Sequence, residues 1–343
     1  MKNLLNSSVL IACLSILTLG EGCRKDSPIP EVQQTINQPD TCSPCVTCKG
    51  FPESSEFGYM FAEIGTQYLS PCFNPNNKNE LVYIRQTSTY TNELVKYNLQ
   101  TKTEDILYNN LFVSGKPSWS INGDIIFGVY VGIVYIYKIK DDGTGLTQIT
   151  NYNSYKPLFD NFSSNFICAG QHPNISGLYL PIFNINGSLI DSFKIEYGNT
   201  NIGIPCFPTA PLFNSGYFLY AKNQNGLNVE QGVCKYENDT ISNLITINHK
   251  YQIIDMSAYS NKVYVCEFWN DIHQIDLNTN NVSTFIEGCQ TKFYNTISIS
   301  PDGTKMLTEK IINTPQDNGD IIRQHEIWLI DLATKEETKI LGQ

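Results

Sequence analysis

Six stretches of this chain follow one plan, and that recurrence constrains the fold more than any other feature of the sequence. Each has a short strand-like run ending in a bulky apolar anchor, a polar turn, an apolar second run, an alternating third run, another polar turn and a fourth run. The anchors with their turns read FNPNN from Phe73, WSING from Trp119, FDNFSS from Phe159, FNSG from Phe213, MSAYSN from Met256 and ISPDG from Ile299. Successive anchors stand 46, 40, 54, 43 and 43 residues apart. Between third and fourth runs come LQTKT, KDDGTG, NINGS, ENDT, LNTNN and LATKE, polar clusters that suit β-hairpins. Four antiparallel strands repeated at this period make the blade of a β-propeller. A lone blade leaves both faces of its sheet wet, whereas six packed side by side bury both, which puts the anchors between neighbouring sheets. A β-sandwich is the competing reading, and it does not account for one turn chemistry returning six times at one phase.

The expected fold is therefore all-β, a six-bladed β-propeller over residues 50–343. Composition agrees: of 343 residues, 20 are Tyr and 17 Phe, and only 16% are charged, which is side-chain chemistry for pleated surfaces. A net charge of −10 argues against a surface that tracks phosphates, so nucleic acid is excluded as a partner.

The first residues predict an address. One Lys precedes an apolar run from Val9 to Leu19, followed by Gly20, Glu21, Gly22 and Cys23 and then by a polar, Pro-bearing stretch without periodicity. The run is too short for a mature membrane span and fits the core of a secretory signal. Small residues before a Cys resemble a bacterial lipobox, which gives residues 1–22 as a lipoprotein signal peptide and Cys23 as the lipid-bearing N-terminus. Cys13 and a plain signal without lipid are the alternatives. Residues 23–49 are expected to be a short disordered tether, and the protein to sit in the bacterial cell envelope, anchored through lipid to the outer membrane.

Pro117 to Thr150, and ISISPDGTKMLTEKI with HEIWLIDLATKEETKIL near the C-terminus, resemble the repeats of TolB-like six-bladed propellers. The turns Ser300–Gly303 and Asp142–Gly145 carry most of that likeness. True TolB has a separate α/β domain ahead of its propeller, for which residues 24–67 are too short. The resemblance implies architecture, an envelope location and a surface used for protein contact.

Eleven cysteines are many. Cys42, Cys45 and Cys48 form a Cys-x-x-Cys-x-x-Cys cluster, with Cys72 at the first blade as a possible fourth member. In an exported chain disulfides are the leading reading, a bound metal or a redox pair the alternatives. Cys168 and Cys266 lie in apolar second strands and are expected to be small buried hydrophobes. His172, His249, His273 and His325 are scattered over different units, and no paired-carboxylate, His-Glu-x-x-His or Gly-x-Ser-x-Gly spacing occurs. No catalytic residue and no cofactor is expected. Trp269 and His273, in WNDIHQID, are the one candidate ligand contact, against the blander reading of His273 as an exposed strand-end residue. These readings lead to a non-enzymatic module binding an envelope protein, a peptide or a glycan, with a polysaccharide lyase or hydrolase working in the axial funnel as the alternative.

Overall fold

The computed structural model describes residues 61–88, 91–109, 112–159, 164–170, 179–194, 196–197, 200–205, 215–224, 227–237, 240–247, 253–267, 270–289, 291–316 and 321–342. The leader, the tether, Cys13, Cys23, Cys42, Cys45, Cys48, Phe213, His172, His249 and Trp269 lie outside them. The described residues belong to one compact unit, Met60–Gln343, and every regular element among them is a β-strand.

The strands are β1 (Phe61–Glu63) and then six sheets in chain order. The first sheet is β2 (Gln67–Asn74), β3 (Asn77–Ser88), β4 (Thr91–Asn98) and β5 (Thr103–Tyr108). The second is β6 (Phe112–Trp119), β7 (Asp124–Tyr130), β8 (Val134–Lys140) and β9 (Thr147–Gln148). The third is β10 (Ser154–Phe159), β11 (Phe166–Gly170), β12 (Tyr179–Phe183) and β13 (Leu189–Lys194). The fourth has one extra strand: β14 (Glu196–Tyr197), β15 (Thr200–Pro205), β16 (Ser215–Gln224), β17 (Leu227–Glu237) and β18 (Thr240–Thr246). The fifth is β19 (Ile253–Tyr259), β20 (Lys262–Glu267), β21 (Ile272–Asp276) and β22 (Asn281–Ile286). The sixth is β23 (Lys292–Ile299), β24 (Lys305–Pro315), β25 (Ile321–Asp331) and β26 (Glu337–Leu341).

Burial explains the pattern of the runs. Second strands such as β7 and β20 are buried almost throughout and are apolar along most of their length, while the fourth strands β5 and β22 are exposed along most of theirs. The turns repeat as well. Asn98, Asp276 and Asp331 each accept two backbone N–H groups just downstream. Each such turn ends in a left-handed residue, Lys102, Asn280 and Lys335 at φ 59°, 57° and 62°. At Ser300–Gly303 the glycine holds φ 69°, a left-handed conformation that favours glycine, and a Cβ there would also meet the Tyr259 ring of the fifth sheet.

Neighbouring sheets share their cores. Val82, Ile84 and Leu94 of the first pack with Trp119, Ile125 and Phe127 of the second. Ile126 and Ile136 pack with Phe159, Phe166 and Phe183 of the third. Val233 and Ile245 of the fourth join Met256 and Val263 of the fifth, and Tyr264 and Phe285 of the fifth join Tyr294 and Ile330 of the sixth. Phe73, Leu81 and Val95 of the first sheet pack against Leu307 and Ile327 of the sixth, so the two ends of the series meet. That junction has a second element, because β1 pairs in parallel with β25 at Ile321–Arg323, on the edge whose other end holds β26. All four strands of the last sheet come from the C-terminal stretch, and β1 is an addition to them.

The anchors Phe73, Trp119, Phe159 and Met256 are buried, and Ile299 is half-buried against the core shared by the last two sheets. One anchor needs correction. The Ser118 and Ser298 hydroxyls accept the backbone N–H of Phe159 and Phe73 in the next sheet, and Ser257 does the same for Ile299. By that register the fifth unit's counterpart of Trp119 is Ala258, two residues past Met256. A small residue holds the position where bulk was expected, and Met256 instead fills the core shared with the fourth sheet.

Candidate functional site

In every sheet the strand that leads toward the anchor breaks register with its neighbour. The shifts fall between Leu69 and Cys72, Ser114 and Ser118, Tyr155 and Leu158, Ile202 and Pro205, Ile253 and Asp255, and Tyr294 and Thr296. A bulge leaves backbone groups without a ladder partner and re-aims the side chains beside it. Pro71, Pro117 and Pro157 each stand two residues before an anchor, where a residue without an N–H suits the break. These first strands lie beside one another, β2 next to β6 and β23, β10 next to β6, and β19 next to β23.

Charged side chains fill the bulges. Lys116, on the second sheet, places Nζ 2.8 Å from Asp255 Oδ2 on the fifth and donates to the Ile297 carbonyl on the sixth. The same Asp255 oxygen accepts the Ile297 N–H at 2.8 Å. Glu309, 1% exposed, accepts the Ser70 N–H at 2.8 Å, Asn295 Nδ2 at 2.9 Å and His325 Nδ1 at 2.7 Å. His325 Nε2 lies 3.7 Å from Glu63 Oε1 on β1, and the His325 N–H donates to Gln67 Oε1. Burial opposes the charge on His325, but its hydrogen bond to Glu309 and the nearby negative charge of Glu63 outweigh it and raise its pKa to about 9. Burial likewise opposes the charge on Glu309, and His325, Ser70 and Asn295 outweigh it and hold the carboxyl below its ordinary value. This layer ties four sheets and β1 together, with its charges answering one another.

A second cluster sits where β20 turns into β21. The Glu267 N–H donates to the Asp271 carbonyl at 2.9 Å, and the Asn270 N–H to the Glu267 carbonyl at 3.1 Å. That turn brings Glu267, Asp271 and His273 together, with one ligand atom from each within 4.8 Å of the others. Glu267 and His273 are 1% and 8% exposed, and Asp271 is half-buried. His273 Nε2 is 3.4 Å from Glu267 Oε2, which also accepts Asn270 Nδ2 at 2.7 Å. Asp271 Oδ1 accepts the Gly288 N–H at 2.8 Å. Burial raises the Asp271 pKa, and the neighbouring charges of Glu267 and Glu287 add to the rise. Gly288 has to be glycine here, because a Cβ would lie 1.9 Å from the Asn270 carbonyl oxygen.

Of the residues singled out from sequence, His273 is therefore buried against a carboxylate rather than exposed at a strand end. Trp269, proposed beside it, lies outside the described residues. His325 belongs to the other cluster. Glu267 and Asp271 were missed, and the signal was present as Glu267-x-x-x-Asp271-x-His273, a spacing that converges only when a tight turn falls inside it. Cys72 is half-buried between the first two sheets, where burial raises its thiol pKa and the Trp119 N–H opposes the rise. Cys168 and Cys266 are buried as expected, and no disulfide occurs among the described cysteines.

An apolar tip crowns the β7–β8 hairpin. Tyr130, Val131 and Ile133 are 48%, 46% and 39% exposed, and Phe112 meets the Tyr130 ring edge-on at 6.3 Å. The two strands close around Gly132, whose φ of 97° a side chain would resist.

No family model matches the chain, and no curated protein matches it. The β-propeller domain of the Trilobed protease from Pyrococcus furiosus is similar over 81% of this chain and 98% of that one, with a TM-score of 0.53 and 11% identity. The chain is a β-propeller. Acylaminoacyl peptidase of Pyrococcus horikoshii is similar over 80% of this chain at a TM-score of 0.49 and 12% identity, and the match spans 52% of that protein. TolB from Acinetobacter baumannii is similar over 80% of this chain and 54% of that one, at a TM-score of 0.37 and 14% identity. Identity this low carries the architecture of a propeller and none of its chemistry.

Proposed function

We propose that this chain is a TolB-like six-bladed propeller that serves the bacterial cell envelope as a binding module for a protein, peptide or glycan, without catalysis of its own. The observation that carries this reading is the apolar tip of Tyr130, Val131 and Ile133, since contiguous exposed apolar surface at a hairpin end is surface kept for contact. The charged inner layer supports it from the other side. Lys116, Asp255 and Glu309 each reach across to another sheet, which suits joining blades better than waiting for a substrate. The test is a panel of polysaccharides and peptides scored for both retention and product. The parent chain should retain a panel member without converting it, and replacing Tyr130, Val131 and Ile133 with Ser should weaken that retention tenfold or more. Product formation by the parent chain, or retention indifferent to the triple variant, would overturn the reading.

Membrane attachment in this reading is through lipid on Cys23. Each buried methylene contributes about 0.8 kcal/mol, so two or more acyl chains hold a folded domain at a bilayer. Cys23→Ser should move the protein to the soluble fraction and remove the acyl mass. A variant as heavy and as membrane-bound as the parent would exclude Cys23 as the attachment point.

A further inference from the structure

We propose that Glu267, Asp271 and His273 bind one divalent first-row cation, with Zn²⁺ the best match, at the turn between β20 and β21. This inference stands apart from the binding reading above. The three side chains bring one nitrogen and two carboxylates, a donor set suited to Zn²⁺. Their spacing is informative in itself. A tetrahedral centre with legs of ~2.0–2.1 Å sets its ligand atoms ~3.3–3.4 Å apart. His273 Nε2 and Glu267 Oε2 are 3.4 Å apart, longer than a good N–H···O bond and matched to one edge of such a centre. Asp271 completes the set within 4.8 Å, so rotation of one half-buried side chain brings the third ligand in.

The surroundings hold the ligands in place. Asn270 Nδ2 fixes the Glu267 carboxylate, and the Gly288 N–H fixes Asp271 through Oδ1, leaving Oδ2 for the ion. Hydrogen bonds of this kind, to the ligands rather than to the metal, set ligand orientation and basicity. Bound there, the ion would pin the β20–β21 turn of the fifth sheet to the segment at Gly288 that leads into the sixth. Three protein ligands leave a fourth position, which a water or a carboxylate from outside can take.

The full chain titrated with Co²⁺ gives a direct readout, because tetrahedral Co²⁺ absorbs in the visible and thiolate ligands add a charge-transfer band in the near ultraviolet. That distinction matters in a chain that also carries Cys42, Cys45 and Cys48. The expected result is a visible band without thiolate charge transfer, saturating at one ion per chain and displaced by Zn²⁺. Asp271→Asn and His273→Gln should each weaken it tenfold or more. Asp271 is half-buried, so Asp271→Asn keeps the test valid if His273→Gln fails to fold. No visible band at millimolar Co²⁺, or a band that the folded Asp271→Asn chain retains in full, would overturn the proposal.

Discussion

Trp119→Ala should lower stability by about 3–5 kcal/mol, the cost of deleting a large aromatic side chain from a packed core. Trp119 is 4% exposed and stands in the core shared by the first and second sheets, against Val82, Ile84, Ile125 and Phe127. The loss would not be confined to one sheet, since the ring is common to both walls of the junction. Trp119→Phe should behave differently. The indole Nε1 is buried without an acceptor, and a buried N–H left unsatisfied costs about 1–3 kcal/mol. Phenylalanine removes that donor along with some volume, and Phe73 and Phe159 already hold the same position in neighbouring sheets. The two effects offset, so Trp119→Phe should stay within about 1.5 kcal/mol of the parent. Urea unfolding of the three proteins checks both statements. A Trp119→Ala midpoint equal to that of the parent would mean that this junction does not depend on its anchor.

The repeat was legible because burial imposes the same demand on every sheet. Second strands covered on both faces carry an apolar run, IIFGVY in one and VYVC in another, and the turns at Asn98, Asp276 and Asp331 need a side-chain acceptor at one fixed place. Bulk at the anchor was a weaker guide. Ala258 occupies the Trp119 position, and Met256, the bulkier neighbour, misled by two residues. The closure of the series was not legible at all. Its polar members, Glu63, Gln67, Glu309 and His325, are spread over 263 residue numbers, from Glu63 to His325 inclusive, and no local spacing relates them. The same holds for Lys116 and Asp255, one on the second sheet and one on the fifth. The cluster at Glu267, Asp271 and His273 lay in between, local in sequence but dependent on a turn that the residues at that point do not announce through Gly or Pro.

Glu309→Ala should be among the most damaging single changes in the chain, at about 3–5 kcal/mol, because removing one partner of a buried ion pair strands the other. Glu309 joins β24 to the Ser70 bulge of the first sheet, to Asn295 in the bulge of β23, and to His325 on β25. Without it the His325 cation keeps only Glu63, which is 41% exposed and lies 3.7 Å away. The pH dependence provides an independent check. His325 has its folded pKa raised to about 9, so the stability it contributes is complete below about pH 6.5, its unfolded value, and is lost as pH rises through about 9. Glu309 is shifted the other way, so its contribution is present above the ordinary glutamate pKa and is lost as pH falls through its lowered folded value. Stability should therefore be greatest between about pH 5 and 7 and should fall on the alkaline side by a step that His325→Gln removes. Glu309→Gln keeps the shape of the side chain and loses its charge, so it should cost less than Glu309→Ala and move the alkaline step to lower pH. Unfolding midpoints measured from pH 5 to 10 on the three variants and the parent decide the matter. If His325→Gln follows the parent's alkaline profile, the clasp between the first and last sheets does not depend on this histidine's charge.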